Sequence, residues 1–585
     1  MKRLFAVLTS FLIVATSMQP ASATALSWEV RNSGGAKAAT ELALQGLEPG
    51  SNPFDPKSAD VVATIVDPKG NQFTIPMFWY QQYEILSTYN QLSNRKVGEP
   101  EWRVKFRPLD KGEYKISVQA TIDGRSISVP STSVKVTEVA PQPIRTKGRN
   151  FVRGDEIFIP IAYNIAWASR YEEIQKYERW FKAASANGVN VARVWMASWS
   201  LGIEWNDTGL GDYTKRLDRA WALDQVFRIA AKYGIGVDLV LINHGAFSES
   251  TNPEWFANPY NSLNGGPIDN PGEFATNEVA KSYWAQRLRY IAARWAGEPA
   301  LFTWEWWNEV NFTPISGETL TNWIRWSDAK LKSWDPYKTL TTTSWGSGAS
   351  LQDWSPVDYA VTHVYDDQDP IKSLTAQASA MLEAVPDKPI LVGEMGSGTL
   401  REDPFTDPFG LHLHNAQWAA TFVGFGAPAS YWWWDNYVDP LDLWGITKGL
   451  SLLVKGTNPV LMERGEAFTL DKTSTLLLSD EKFVLGWIRL NDFDRSAKAR
   501  LLLEASIKAL KTKKKPQTFF PDPTSKGGKV TIPVKKDGAY SVTIMATKSG
   551  VTLKSLTVNA SGKKLIFTLP AFTGDIAFRA ERKVG

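Results

Sequence analysis

The chain of 585 residues has no cysteine at all, which excludes disulfides, thiolate metal sites and cysteine nucleophiles. Histidine is scarce too, with four in all and none in a metal spacing such as H-E-x-x-H, so no metal and no other cofactor is expected. Charge of one sign is equally thin. A net charge of +4, with Lys and Arg scattered along the chain, gives no case for nucleic acid. The one basic run, Lys511, Lys513, Lys514 and Lys515, reads as a solvated loop, with weak adhesion to an anionic cell-wall polymer as the alternative. Beyond residue 25 no apolar stretch approaches the roughly 20 residues of a membrane span.

What is present is ordinary globular material, 43% hydrophobic and 22% charged, together with 26 Trp, whose flat rings suit stacking on sugar faces. Lys2 and Arg3, the apolar run 4–15 and the small residues Ala21-Ser22-Ala23 have the layout of a secretory signal peptide over residues 1–25. A secreted, soluble, monomeric protein is therefore expected. Export without disulfides suits a bacterial route better than a eukaryotic one.

The texture of the chain changes twice. Residues 26–137 alternate over short runs broken by turn residues, as in a small antiparallel β-sandwich, and residues 138–150, with Pro141 and Pro143, read as a linker. Over 151–456 apolar strands alternate with amphipathic helices. Strands are expected at 157–163, 189–196, 236–242, 302–309, 338–344, 359–365, 389–394 and 429–434. Helices are expected at stretches such as 171–186, 217–233, 277–295, 320–334 and 415–424. Residues 457–585 return to β patterning. The predicted fold is an α/β protein: a (β/α)8 TIM barrel flanked by an N-terminal and a C-terminal β-sandwich domain.

Barrel sites lie at the C-terminal ends of the strands, and there the sequence turns polar: Arg193, Asn243-His244, Asn308-Glu309, His363 and Tyr365, Glu394, and Trp432-Trp433-Trp434. Glycoside hydrolysis needs two carboxyls across the scissile bond, and Glu309 and Glu394 are the pair that fits. An isolated Glu at a strand end is more often solvated or salt-bridged; it is the pairing that favours catalysis.

The strings Trp306-Trp307-Asn308-Glu309 and Val392-Gly393-Glu394-Met395-Gly396 resemble clan A glycoside hydrolases, especially the family 5 cellulases and mannanases. The resemblance covers about half the chain. It implies Glu309 as acid/base and Glu394 as nucleophile, with Arg193, His244, Asn308, His363 and Tyr365 as supporting residues. Val310 departs from it, since family 5 usually has proline there. Residues 26–137 resemble an Ig-like domain of unknown function found before such barrels.

These readings carry further expectations. Arg193 and Tyr365 should lower the pKa of Glu394, whereas apolar surroundings should keep Glu309 protonated. Asn308 would bind the sugar 2-hydroxyl, and because strict alternation sends Asn308 and Glu309 to opposite sides, a bulge or twist is required. Trp433 is the expected cleft floor, Tyr163, Asn164 and Trp167 are candidate cleft residues, and Glu305 reads as the partner of a barrel Arg. Asp366, Asp367 and Asp369 read as a hydrophilic loop rather than a cation site, and His412 and His414 as loop or cap residues before the seventh helix. The segment 248–273 would wall off one side. The expected activity is retaining cleavage of a β-linked polysaccharide of the glucanase or mannanase kind; exo action, or glycan binding without catalysis, are the alternatives.

Overall fold

The computed structural model describes residues 25–88, 91–346, 354–366, 369–398, 407–467, 470–515, 517 and 520–583. The expected signal peptide lies outside them except for Ala25, and so does Asp367.

Residues 27–136 form two antiparallel sheets. One runs in the order Ser27–Gly35, Ala38–Gln45, Gln91–Phe106, Phe78–Thr88; the other runs Gln72–Pro76, Ala59–Val66, Gly112–Ile122, Arg125–Ser128, with Thr132–Val136 also paired to Gly112–Ile122. The period of two is plain in Ala59–Val66, where Ala59, Val61, Ala63 and Ile65 are wholly buried and Asp60 is exposed, because successive side chains leave opposite faces of a strand.

The expected linker is partly structured. Ile144–Lys147 pairs antiparallel with Asn150–Arg153, which pairs in turn with Glu156–Phe158. The first expected strand, 157–163, is thereby split. Its beginning belongs to this meander, and only Ala162–Asn164 enters the parallel sheet. Ile144 and Phe151 cluster with Val191, Phe302, Leu340, Tyr359 and Val361, so the meander stoppers the N-terminal ends of the parallel strands.

Parallel pairing then runs through Ala162–Asn164, Val191–Trp195, Gly236–Val240, Leu301–Glu305 and Leu340–Thr342. After Thr343 it resumes through Ser344–Trp345, Ala360–Tyr365 and Ile390–Gly396. The last expected strand, 429–434, contributes a single residue: Tyr431 pairs in parallel with Met395 on one side and Tyr163 on the other, which closes the circuit of pairings. Helices Glu173–Ala186, Leu217–Tyr233, Glu278–Trp295, Gly317–Trp334, Pro370–Ala384 and Leu411–Val423 connect the strands. Apolar residues spaced by three and four place their buried faces inward, as Tyr177, Trp180, Phe181 and Ala184 do in the first. His412 and His414 lie inside the last of these helices, wholly buried, rather than before it.

The C-terminal region holds a six-stranded antiparallel sheet, Glu463–Glu466, Thr473–Ser479, Phe483–Leu490, Asp575–Arg582, Gly538–Met545, Thr552–Ala560, and two strand pairs beside it. It also carries an unexpected helix, Arg495–Thr512, capped by Asp494, whose carboxylate accepts from the Ala497 N–H at 2.8 Å. The run from Leu501 to Leu510 is rich in helix formers, and Asp494 is a start signal visible in the sequence.

Both flanks are tied to the parallel core by buried charge. Lys105 Nζ sits 2.6 Å from Glu298 Oε1 and 3.6 Å from Asp224 Oδ1. On the other side Asp575 accepts from Thr547 Oγ1 at 2.6 Å and from Trp487 Nε1 at 2.7 Å, and lies 2.7 Å from His414 Nε2.

Candidate active site

Every polar residue expected at the strand ends reaches one cleft of about 460 Å³, lined by Glu309, Glu394, His244, Asn308, Tyr365 and Trp433 among others, or stands directly behind its wall. Glu394 arrives there by a bulge. Thr362 pairs with Val392 but His363 pairs with Glu394, so Gly393 is the extra residue. Val392 and Glu394 would otherwise share a face; the bulge turns Glu394 inward beside His363. Only glycine fits at the bulge, because a Cβ on Gly393 would stand 2.3 Å from Val361 Cγ1.

Of the bulge or twist expected at Glu309, the backbone takes the second course. The strand ends at Glu305, and Glu309 adopts a left-handed conformation, φ 48° and ψ 52°, ahead of the 3₁₀ turn Val310–Phe312. Its N–H is held by Ser344 Oγ at 3.0 Å. Such a backbone costs of order 1 kcal/mol in a residue with a side chain, and strain of this kind gathers at functional positions.

The two carboxylates face each other, and one oxygen of each, together with a nitrogen of His363, lies within 4.8 Å of the others. Their partners differ. Glu394 Oε1 accepts from Arg193 NH1 at 2.6 Å and Oε2 accepts from the Tyr365 hydroxyl at 2.5 Å. Glu309 Oε1 lies 2.9 Å from His363 Nδ1, and Oε2 lies 3.4 Å from His244 Nδ1. Burial depresses both histidines, His363 to about 4 and His244 below its usual value, so at neutral pH they act as uncharged hydrogen-bonding groups.

Burial is the largest influence on both glutamates and raises both above the usual carboxylate range. For Glu394 this corrects the expected lowering: His363, Arg193 and Tyr365 oppose the rise but do not cancel it, and the negative field of Glu309 adds to it. The physical reason is that removing a carboxylate from water costs more than its donors return.

Arg193 organises the floor. Besides Glu394 it makes a two-pronged pair with Glu305, Nε to Oε2 and NH2 to Oε1, both at 2.7 Å, and donates to Asn308 Oδ1 at 2.7 Å. Glu305 is thus the partner of a core arginine. Asn308 is buried, and its amide nitrogen lies 2.9 Å from His244 Nδ1. His244 Nε2 is in turn 3.3 Å from Asn252 Oδ1. With Nε2–H donating to Asn252, Nδ1 is left to accept from Asn308.

Of the other cleft candidates, Trp433 and Trp167 line the opening. Tyr163 and Asn164 do not, being fully buried; Asn164 braces Arg193 and the Gly393 carbonyl, and Tyr163 bonds Thr447. Sequence reading missed Trp195, Trp199 and Phe312, which line the cleft, and did not single out Asn252 and Glu254 within the segment 248–273. Trp167, Trp195 and Trp432 pack ring to ring at 5.2 to 5.6 Å. The position of Trp195 at its strand's end was the available signal. The segment 248–273 contributes Thr251, Asn252 and Glu254 to the opposite wall. Asp369 caps helix Pro370–Ala384 and pairs with Arg489, which occupies it structurally.

A buried pair of carboxyls with unlike partners in an aromatic cleft is equipped for acid and nucleophilic chemistry on a sugar. No protein-family model matches the chain. The chain is 30% identical over 129 residues to mannan endo-1,4-β-mannosidase F of Aspergillus clavatus, covering 22% of this chain and 28% of that protein. It is 23% identical over 294 residues to the Aspergillus fumigatus protein of the same name, covering 47% and 64%. The chain thus spans less than two thirds of either relative. In fold it is similar to a Bacteroides vulgatus structure described as a candidate glycoside hydrolase, with TM-score 0.59, 14% identity and coverage of 94% and 99%. At that identity the likeness concerns fold alone.

Proposed function

We propose that the chain is a retaining glycoside hydrolase acting on β-1,4-linked mannan, with Glu394 as nucleophile and Glu309 as acid/base. In this reading residues 151–456 are a (β/α)8 barrel, residues 26–137 and 457–585 are accessory β domains, and the protein is exported by the leader at residues 1–25. The observation that carries it is the carboxyl pair: one oxygen of each lies within 4.8 Å of the other, a closeness that favours the spacing of about 5 to 5.5 Å between carboxyl groups at which the second attacks the sugar directly. The mannan assignment rests on the names of the relatives.

The partners support this division of roles. With one proton on the pair, the charge settles on Glu394, which touches the Arg193 cation and the Tyr365 hydroxyl. The proton settles on Glu309, which lies beside the neutral imidazoles of His244 and His363, the latter shared with Glu394, and the Asn308 amide rather than in contact with the guanidinium. Glu309 protonates the leaving oxygen as Glu394 attacks the anomeric carbon. The glycosyl-enzyme ester is then hydrolysed by a water that gives its proton to Glu309. Asn308, held by Arg193 and His244 and hydrogen-bonded to Glu309, would turn its second amide hydrogen from Glu309 to the sugar 2-hydroxyl when substrate binds.

The test is product analysis on β-mannan, cellulose and xylan for the native chain and for Glu394→Gln. Expected are mannan fragments released with β configuration, and in the variant no turnover but retained oligosaccharide binding. Products of inverted configuration, or full activity in Glu394→Gln, would refute the mechanism; cleavage confined to another glycan would refute the substrate.

A further inference from the structure

The helix Arg495–Thr512 is only lightly attached to the fold: of its 18 residues Ala497 and Ala509 alone are buried. At 100° per residue Leu503, Ile507 and Leu510 fall on one outward stripe, and they are 61%, 43% and 82% exposed. Surface leucines scattered singly need no explanation, but a helical row of three on an outer face does.

The charge beside this row is predominantly positive. Lys498 and Arg500 face Asp522 and Asp492. The remainder, from Glu504 to Lys515, carries Lys508, Lys511, Lys513, Lys514 and Lys515 against Glu504 alone, all of them exposed. Lys513 turns left-handed at the helix end, φ 52°, and the next two lysines follow it directly. Of the basic run expected in a loop, Lys511 lies in the last turn of the helix, whereas Lys513, Lys514 and Lys515 follow its end, outside the helix as expected.

We propose that this helix is an interfacial anchor that lays its Leu503–Ile507–Leu510 row into an anionic phospholipid bilayer, with the flanking lysines on the headgroups. A row of aliphatic side chains framed by lysine suits a surface that is anionic at its rim and apolar beneath. A water-soluble polyanion would use the lysines and leave the leucines in water. No residue of the helix lines the cleft, so docking would leave the catalytic groups untouched and concentrate the protein at a membrane face.

The test is co-sedimentation of the chain from Ala25 onward, which removes the apolar run 4–15, with phosphatidylcholine vesicles and with vesicles containing about one third phosphatidylglycerol. Binding is expected to the anionic vesicles alone. It should fall about tenfold or more in Leu503→Ser/Leu510→Ser and, separately, in Lys513→Gln/Lys514→Gln/Lys515→Gln, with hydrolysis of soluble glycan unchanged in both. The idea is overturned if the native chain stays in the supernatant. It is overturned equally if the serine variant binds as well as the native chain, which would mean polyanion adhesion. A concentration-dependent dimer that the serine variant abolishes, without vesicle binding, would assign the row to a second copy instead.

Discussion

Replacing Tyr365 by phenylalanine removes one oxygen atom and, with it, the 2.5 Å bond to Glu394 Oε2. The hydroxyl is a dependable donor, since burial and the field of Glu394 hold its own pKa far above 10. Hydrogen bonds to a charged group contribute about 1.5 to 3 kcal/mol, and about 1.4 kcal/mol corresponds to one pKa unit, so Glu394 should titrate about one to two units higher in the variant. The sign is fixed by its role. Attack requires the ionised form, so the acid limb of kcat/KM against pH should move toward neutrality by that amount. At a pH below the native limb the rate should fall about 10- to 100-fold, with partial recovery as the pH rises. On the proposed roles the basic limb belongs to Glu309, whose acid form would be needed and whose pKa is raised by burial; it should stay in place. The assay is the pH profile on a soluble mannan oligosaccharide, with circular dichroism to show an intact fold. An acid limb that does not move would refute the assignment of Glu394 as the anion held by Tyr365.

Two further outcomes are expected. Lys105→Met leaves Glu298, Asp224 and Glu41 around an uncharged side chain in a buried setting and should cost about 3 to 5 kcal/mol, read by denaturant unfolding; a loss within experimental scatter of zero would refute this and show that Arg103 and Arg294, which pair with Glu41 and Asp224, suffice to hold the cluster. Chelation with EDTA should leave turnover unchanged, because Arg193 already occupies Glu394 Oε1 and a cation on the Glu309, His363 and Glu394 donors would have to share the carboxylate with it. Loss of activity restored by a divalent ion would show instead that those donors hold a metal.

Much of this molecule was legible in its sequence because its signals are local. Alternation marked strands of both flanking regions, spacing of three and four marked helices of the central region but not Arg495–Thr512, and the polar residues closing successive apolar runs marked Arg193, His244, Asn308, Glu309, His363, Tyr365 and Glu394. Those chemical types at strand ends already implied a two-carboxylate site. Local pattern could not say how each carboxylate is aimed. Gly393 as a bulge, and Glu309 as a left-handed residue beyond the end of its strand, result from neighbouring strands competing for the same space. Nor could it tell that Asn164 is a brace and Trp195 a wall, since burial is settled by what packs opposite. The pKa of Glu394 shows the same division: the donors that lower it are visible as residue types, but the desolvation that outweighs them exists only once the chain has closed around the carboxylate.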